Sequence, residues 1–187
     1  PILRDQLVIC NIGIPSQELH AIDDQPSNFY MLGTMGLASS IGLGLALVQK
    51  KPVIVIDGDG SVLTNLGTLP TIGNNVADNY ILMIIDNGSY GSTGDQPTYT
   101  GKKTSLAGMA RAAGCETVVE VQDVDTGKAL KAALASATST GPLAAASRSD
   151  RADTAARRSS SGRPPQTPAS WFVSSAYKRH SSATVHA

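Results

Sequence analysis

The chain has 187 residues, with 15 basic and 15 acidic side chains. That is the size of one ordinary domain, large enough to bury a core without disulfide or metal staples. The zero net charge conceals a split: residues 1–143 carry 8 basic and 13 acidic side chains (−5), and residues 144–187 carry 7 and 2 (+5). A mildly acidic body argues against a nucleic-acid platform, which shows a basic face. No uncharged apolar run approaches the ~18 residues of a membrane span. Pro1-Ile2-Leu3-Arg4-Asp5 lacks the regions of a signal peptide, and with no initiator Met the true start is expected upstream. Cys10 and Cys115 show no zinc or redox spacing, so a reducing, cytoplasmic setting is expected.

In chain order, Val8-Ile9-Cys10 reads as a short strand running into Asn11-Ile12-Gly13, and residues 15–23 as a helix with Pro15 in its first turn. Met35 to Val48 is a long apolar stretch rich in small residues, a helix able to pack closely on a sheet. Val53-Ile54-Val55-Ile56 and Ile81-Leu82-Met83-Ile84-Ile85 are continuous apolar runs, the pattern of parallel strands covered on both faces. Between them Leu63, Leu66, Leu69 and Ile72 recur every third residue and predict one helix over 62–73. Strand, helix, strand at that spacing is a right-handed βαβ unit. Further on, 105–113 reads as helix, 117–121 as strand and 126–138 as helix. The expected fold is α/β, a doubly wound, mostly parallel sheet with helices on both faces.

The composition changes near residue 143. Of the last 44 residues 10 are Ala, 10 Ser and 6 Arg, too little apolar surface to offset the entropy of ordering. Residues 1–143 are therefore read as the domain and 144–187 as a disordered basic tail. Gly141-Pro142-Leu143 starts what should be a last apolar strand, and Ala144-Ala145-Ala146-Ser147-Arg148 abandons it. A shifted reading frame from about residue 144 is the expected cause.

Two loops carry chemistry. Asp57-Gly58-Asp59-Gly60-Ser61 follows the 53–56 strand and opens a helix, where glycines admit a ligand to the backbone and free N–H groups face an anion. Asp59 would repel a bare phosphate, but a Mg²⁺ ion bridging carboxylate and phosphate reconciles the two. Asp86-Asn87-Gly88-Ser89-Tyr90-Gly91 follows the 81–85 strand, and Asn87, 28 residues after Asp59, offers a neutral oxygen to the same ion. Ligands of open α/β sheets collect at the carboxyl ends of strands, so both loops are expected in one crevice. The bland alternative is that each is merely a tight Gly/Asn/Asp turn.

Gly58-Asp59-Gly60 with Asn87 resembles the cofactor signature of thiamine diphosphate enzymes, and Gly33-Thr34-Met35-Gly36 is similar to their aminopyrimidine-holding segment. The resemblance covers residues 8–143 and only the diphosphate-binding domain. Within the superfamily, Ser92-Thr93-Gly94-Asp95-Gln96-Pro97-Thr98 is similar to the decarboxylases of sulfopyruvate and phosphonopyruvate. The short, stand-alone length resembles the diphosphate-binding β subunit of the split branch, which serves coenzyme M biosynthesis. The resemblance implies that Asp59, Asn87 and the Ser89 carbonyl bind Mg²⁺, and that Gly58, Gly60, Ser61, Tyr90 and Gly91 line the diphosphate. It further implies that the Gly33 carbonyl holds the cofactor's amino group and that Met35 wedges the cofactor into its bent form; ordinary core packing is the alternative for Met35. The activating glutamate of the superfamily has no matching motif here, so a pyrimidine-binding α subunit is expected to bring it, and no catalytic residue is assigned to this chain. The implied reaction is decarboxylation of a small 2-oxo acid within a hetero-oligomer. A non-catalytic or damaged fragment is the alternative from another class.

Weaker signals are His20, the one histidine before the tail, as a proton carrier, and Lys102-Lys103 as an attraction for a sulfonate. Gly42-Leu43-Gly44 falls inside a predicted helix, not after a strand, which excludes a dinucleotide motif.

Overall fold

A computed structural model describes residues 5–75, 78–121 and 143–148. Six strands form one sheet in the order β2-β1-β3-β4-β8-β7, every neighbouring pair parallel. They are β1 (Leu7–Cys10), β2 (Asn28–Tyr30), β3 (Val53–Gly58), β4 (Tyr80–Asp86), β7 (Thr117–Val121) and β8 (Leu143–Arg148). A two-residue antiparallel hairpin, β5 (Ser89–Tyr90) with β6 (Gln96–Pro97), stands apart from the sheet.

The central strands explain the layering. Successive strand residues point to opposite faces, yet Val53 to Ile56 and all of Tyr80 to Asp86 are buried, so both faces are covered. One face joins Val53, Val55, Leu82 and Ile84 to Leu43, Leu69, Ile72 and Leu106 of the helices in a single core. These helices are α2 (Ala38–Val48), α3 (Asp59–Thr64), α4 (Thr68–Asn75) and α5 (Leu106–Ala112), while α1 (Ile14–Asp23) follows β1. Gly42 lets α2 lie close on β3, because a Cβ there would run into Val55.

The chain passes from β1 outward to edge strand β2, then returns across β1 to form β3. The loops after β1 and β3 therefore leave in opposite directions, which opens a crevice at their carboxyl ends. Both chemistry-bearing loops border it: one follows β3, the other follows its neighbour β4.

Three expectations change. The helix foreseen over 62–73 is two, α3 and α4, separated by turns in which Asn65 N–H donates to Val62 and Thr68 N–H to Asn65. The Asn65 side chain is drawn off to the Gly36 carbonyl (2.8 Å), which fixes the break. The helix expected from Met35 begins only at Ala38, since Gly36 (φ +79°) takes a left-handed turn first. The last strand is not abandoned at residue 144: β8 runs to Arg148 and pairs with β4 and β7 along its length. Strand register in a parallel sheet is carried by backbone hydrogen bonds, which alanine supplies as well as valine. The expected helix at 126–138 and the tail beyond 148 lie outside the described residues.

Candidate functional site

Asp59 is the first residue of α3 and is only 1% exposed. Two threonines converge on one of its oxygens. The Thr98 hydroxyl donates to Asp59 Oδ2, and the Thr100 hydroxyl reaches the same atom at 2.9 Å. Thr100 also lies 2.8 Å from Asp86 Oδ1 at the end of β4 and 2.8 Å from the Thr98 hydroxyl. Burial, then the neighbouring charge of Asp86, push the Asp59 carboxyl upward, while the threonine hydrogen bonds pull it back. The two loops expected to share a crevice are thus joined through Thr100.

The second loop is built from turns. Asp86 Oδ1 accepts from Gly88 N–H (3.1 Å) and Asn87 Oδ1 from Ser89 N–H (3.0 Å), with Gly88 at φ +67°. The hairpin that follows folds back over the start of α3, where Thr98 N–H bonds the Gly88 carbonyl. The Tyr90 ring then occupies the space over Gly60, and a Cβ on Gly60 would approach it to 2.5 Å. A Cβ on Gly91 would sit 3.2 Å from Ile14 and 3.6 Å from the Asn87 amide. Gly58 is less confined, with only the Asn11 amide near, at 3.9 Å.

A third segment completes the site. Gly36 N–H donates to Ser61 Oγ (2.7 Å) and Asn65 returns a hydrogen bond to the Gly36 carbonyl. This docks the turn holding Gly33 and Met35 on α3. Gly33 (φ +87°) needs glycine for its backbone, not for space. Met35 is 39% exposed, which excludes core packing. The Ser61 hydroxyl is already engaged with Gly36 and Asp57.

Two residues beside this site carry a feature that the sequence does not show. Asp57 Oδ2 and Asn11 Oδ1 are buried at the carboxyl ends of β3 and β1 without a hydrogen-bond partner. Burial pushes the Asp57 carboxyl up to about 6, with Asp59 adding to the rise. Nor did Thr98 and Thr100 stand out. Thr98 appears only as the end of the 92–98 run and Thr100 not at all; both lie where the chain turns after the hairpin.

The weaker candidates sit elsewhere. His20 pairs with Asp24 (3.3 Å) and meets the Tyr30 ring edge-on, in an exposed cluster at edge strand β2. Lys102 lies 5.8 Å over the Tyr99 ring, and both it and Lys103 are exposed. Gly42 and Gly44 are inside α2, as expected. Cys10 and Cys115 are free, buried thiols, with Cys10 pushed up to about 12 by burial. Among the described residues no helix is long and apolar enough to cross a membrane, and no three His, Cys, Asp or Glu side chains cluster as a metal site.

Residues 15–144 match the family described as thiamine pyrophosphate enzyme, C-terminal TPP binding domain. The chain belongs to this family. It is 60% identical over 113 residues to the sulfopyruvate decarboxylase subunit beta of Methanocaldococcus jannaschii, a stretch covering 60% of this chain and 60% of that protein. It is 42% identical over 137 residues to the phosphonopyruvate decarboxylase of Streptomyces viridochromogenes, covering 73% of this chain and 34% of that one. The fold is similar to that of a thiamin diphosphate-dependent enzyme from Mycobacterium smegmatis, with TM-score 0.63 and 20% identity over 80% of this chain and 29% of that one. The family's cofactor is thiamine diphosphate, and the sheet with its helices is the family's fold.

Proposed function

We propose that this chain is the diphosphate-binding subunit of a Mg²⁺-dependent 2-oxo acid decarboxylase that converts sulfopyruvate to sulfoacetaldehyde and CO₂, a step of coenzyme M biosynthesis. The observation that carries it is the joining of the Asp59 loop to the Asp86-Asn87 loop beneath the hairpin. The residues suit the cofactor. Asp59, Asn87 and the Ser89 carbonyl offer only oxygen ligands, one of them charged, and a hard cation that keeps phosphate oxygens and water accepts such a set. At Gly60 the space a side chain would need is taken by the Tyr90 ring, which seats the hairpin on the start of α3.

In this reading Asp59 and Asn87 hold the cation through side chains and Ser89 through its carbonyl. Gly58, Gly60, Ser61, Tyr90 and Gly91 present backbone to the diphosphate. The Gly33 carbonyl accepts the cofactor's amino group, and Met35, partly exposed on its turn, supports the cofactor's bent form. Bound thiamine diphosphate supplies the electron sink for loss of CO₂. The chain's own contribution is to anchor the diphosphate, fix the cation and hold water away beneath the Tyr90 hairpin. The activating glutamate comes from a pyrimidine-binding α subunit. A reducing cytoplasm fits Cys10 and Cys115 as buried free thiols. For the run after residue 144 we retain a change of reading frame, checked by translating the coding DNA in its other two frames.

The similarity of 60% against 42% favours sulfopyruvate over phosphonopyruvate. Kinetics of CO₂ release by the assembled enzyme test this: kcat/KM is expected to be at least tenfold higher for sulfopyruvate. A preference for phosphonopyruvate would overturn the substrate assignment and leave the reaction class standing.

A further inference from the structure

Asp59 and Asn87 lie on different loops, after different strands, yet a cation held by both needs their oxygens in a fixed relation. Ligand precision of this kind comes from residues behind the ligands. Two buried hydroxyls fill that place. Thr98 and Thr100 are 2% and 1% exposed, follow the hairpin, and reach Asp59 across 39 and 41 residues of chain. Both address Oδ2. An ionised carboxylate has about two acceptor positions on each oxygen; Thr98 fills one at Oδ2, and Thr100 shares its single proton between Oδ2 and Asp86 Oδ1, so the group's rotation is set by the pair.

Thr100 does more than Thr98. It has one proton and three oxygens in reach: Asp59 Oδ2, Asp86 Oδ1 and Thr98 Oγ1. Asp86 is the residue before Asn87, and its Oδ1 also accepts Gly88 N–H, so its position sets the turn that presents Asn87. Two carboxylates approach one hydroxyl here, where two like charges would otherwise push the loops apart. We propose that Thr98 and Thr100 are positioning residues for the cation: they orient the Asp59 carboxylate, and Thr100 ties it to the Asp86-Asn87 turn. The inference rests on Asp59 as a cation ligand and adds the residues that make it one.

The consequence is specific. Removing the Thr100 hydroxyl while keeping its shape weakens cation binding without emptying the core, and a serine restores it. Outer-shell partners of metal ligands typically contribute ~10–100-fold in metal affinity. The test uses the full chain with thiamine diphosphate and Mn²⁺ in place of Mg²⁺, free Mn²⁺ being read by its electron paramagnetic resonance signal. Thr100→Val and Thr98→Val are each expected to weaken Mn²⁺ binding by ~10-fold or more, and Thr100→Ser to stay within about threefold of the parent chain. Thermal melting without ligand identifies any variant that fails to fold. If Thr100→Val fails, Thr98→Val and Thr100→Ser decide the matter. Asp59→Asn runs alongside. Loss of binding in Asp59→Asn with unchanged binding in both valine variants would overturn the positioning role and leave the ligand in place. Unchanged binding in Asp59→Asn would overturn both. Equal loss in Thr100→Val and Thr100→Ser would overturn the role of the hydroxyl.

Discussion

Asp57 is an acid in a place that penalises charge. It is fully buried, one carboxyl oxygen has no partner, and burial raises it to about 6, whereas an unfolded Asp titrates near 3.9. Between those values the native chain holds a proton that the unfolded chain has lost. Stability is therefore fully present below about pH 4 and falls as pH rises through 6, by about 3 kcal/mol if the whole shift is realised. Asp57→Asn removes this titration. Melting without cofactor at pH 5 and pH 8 should show the variant gaining on the parent chain at the higher pH. A constant difference would mean that Asp57 does not titrate in this window. Asp59 and Asn87 were legible at this scale because their spacing and strand context are distinctive. Thr98 and Thr100 were not, since small hydroxyl residues have no signature and their partner lies about forty positions away.

Element-scale reading succeeded where periodicity and burial agree. The all-apolar runs of β3 and β4 announced strands covered on both faces, and both appear with one or two residues added at their ends. Periodicity misled at 62–73. The three-residue spacing of leucines survives the break between α3 and α4, because the 3-10-like turns there preserve it. Short β2 and the hairpin of β5 and β6 passed unseen: strands of two or three residues have no alternation to detect. Helix α2 offers an internal contrast. Gly44 has open space around its would-be Cβ, so Gly44→Ala should stabilise by ~0.5–1 kcal/mol through helix propensity. Gly42 lies against Val55 of β3, and the same change there should destabilise by ~1–3 kcal/mol through overpacking. Urea melts of the two variants check the pair. Shifts of equal sign would mean that α2 does not pack through Gly42.

Across the whole molecule, the order of strands decides where function sits. The switch between β1 and β3 opens the crevice, and the loops after β3 and β4 fill it with Asp59 and Asn87. That much follows from the sequence, as alternating elements imply a parallel sheet with a switch point. The role of β8 does not, because residues 144–148, Ala-Ala-Ala-Ser-Arg, hold no large apolar or β-branched residue to mark a strand. The turn that docks on α3 exposes Leu32 (91%), Met35 (39%) and Leu37 (40%) beside the site. Under the proposed function the pyrimidine-binding subunit covers this edge. Leu32→Asp should then leave the chain's own melting within about 0.5 kcal/mol, as surface changes do. It should weaken association with the partner at least tenfold in sedimentation or calorimetry. Unchanged association would remove this edge from the interface.

The most direct measurement is CO₂ release from sulfopyruvate, with Mg²⁺ and thiamine diphosphate, by this chain alone, by the pyrimidine-binding subunit alone and by the two together. The account predicts turnover only in the mixture, lost again with Asp59→Ala in this chain. Turnover by this chain alone, or a mixture indifferent to Asp59, would contradict it.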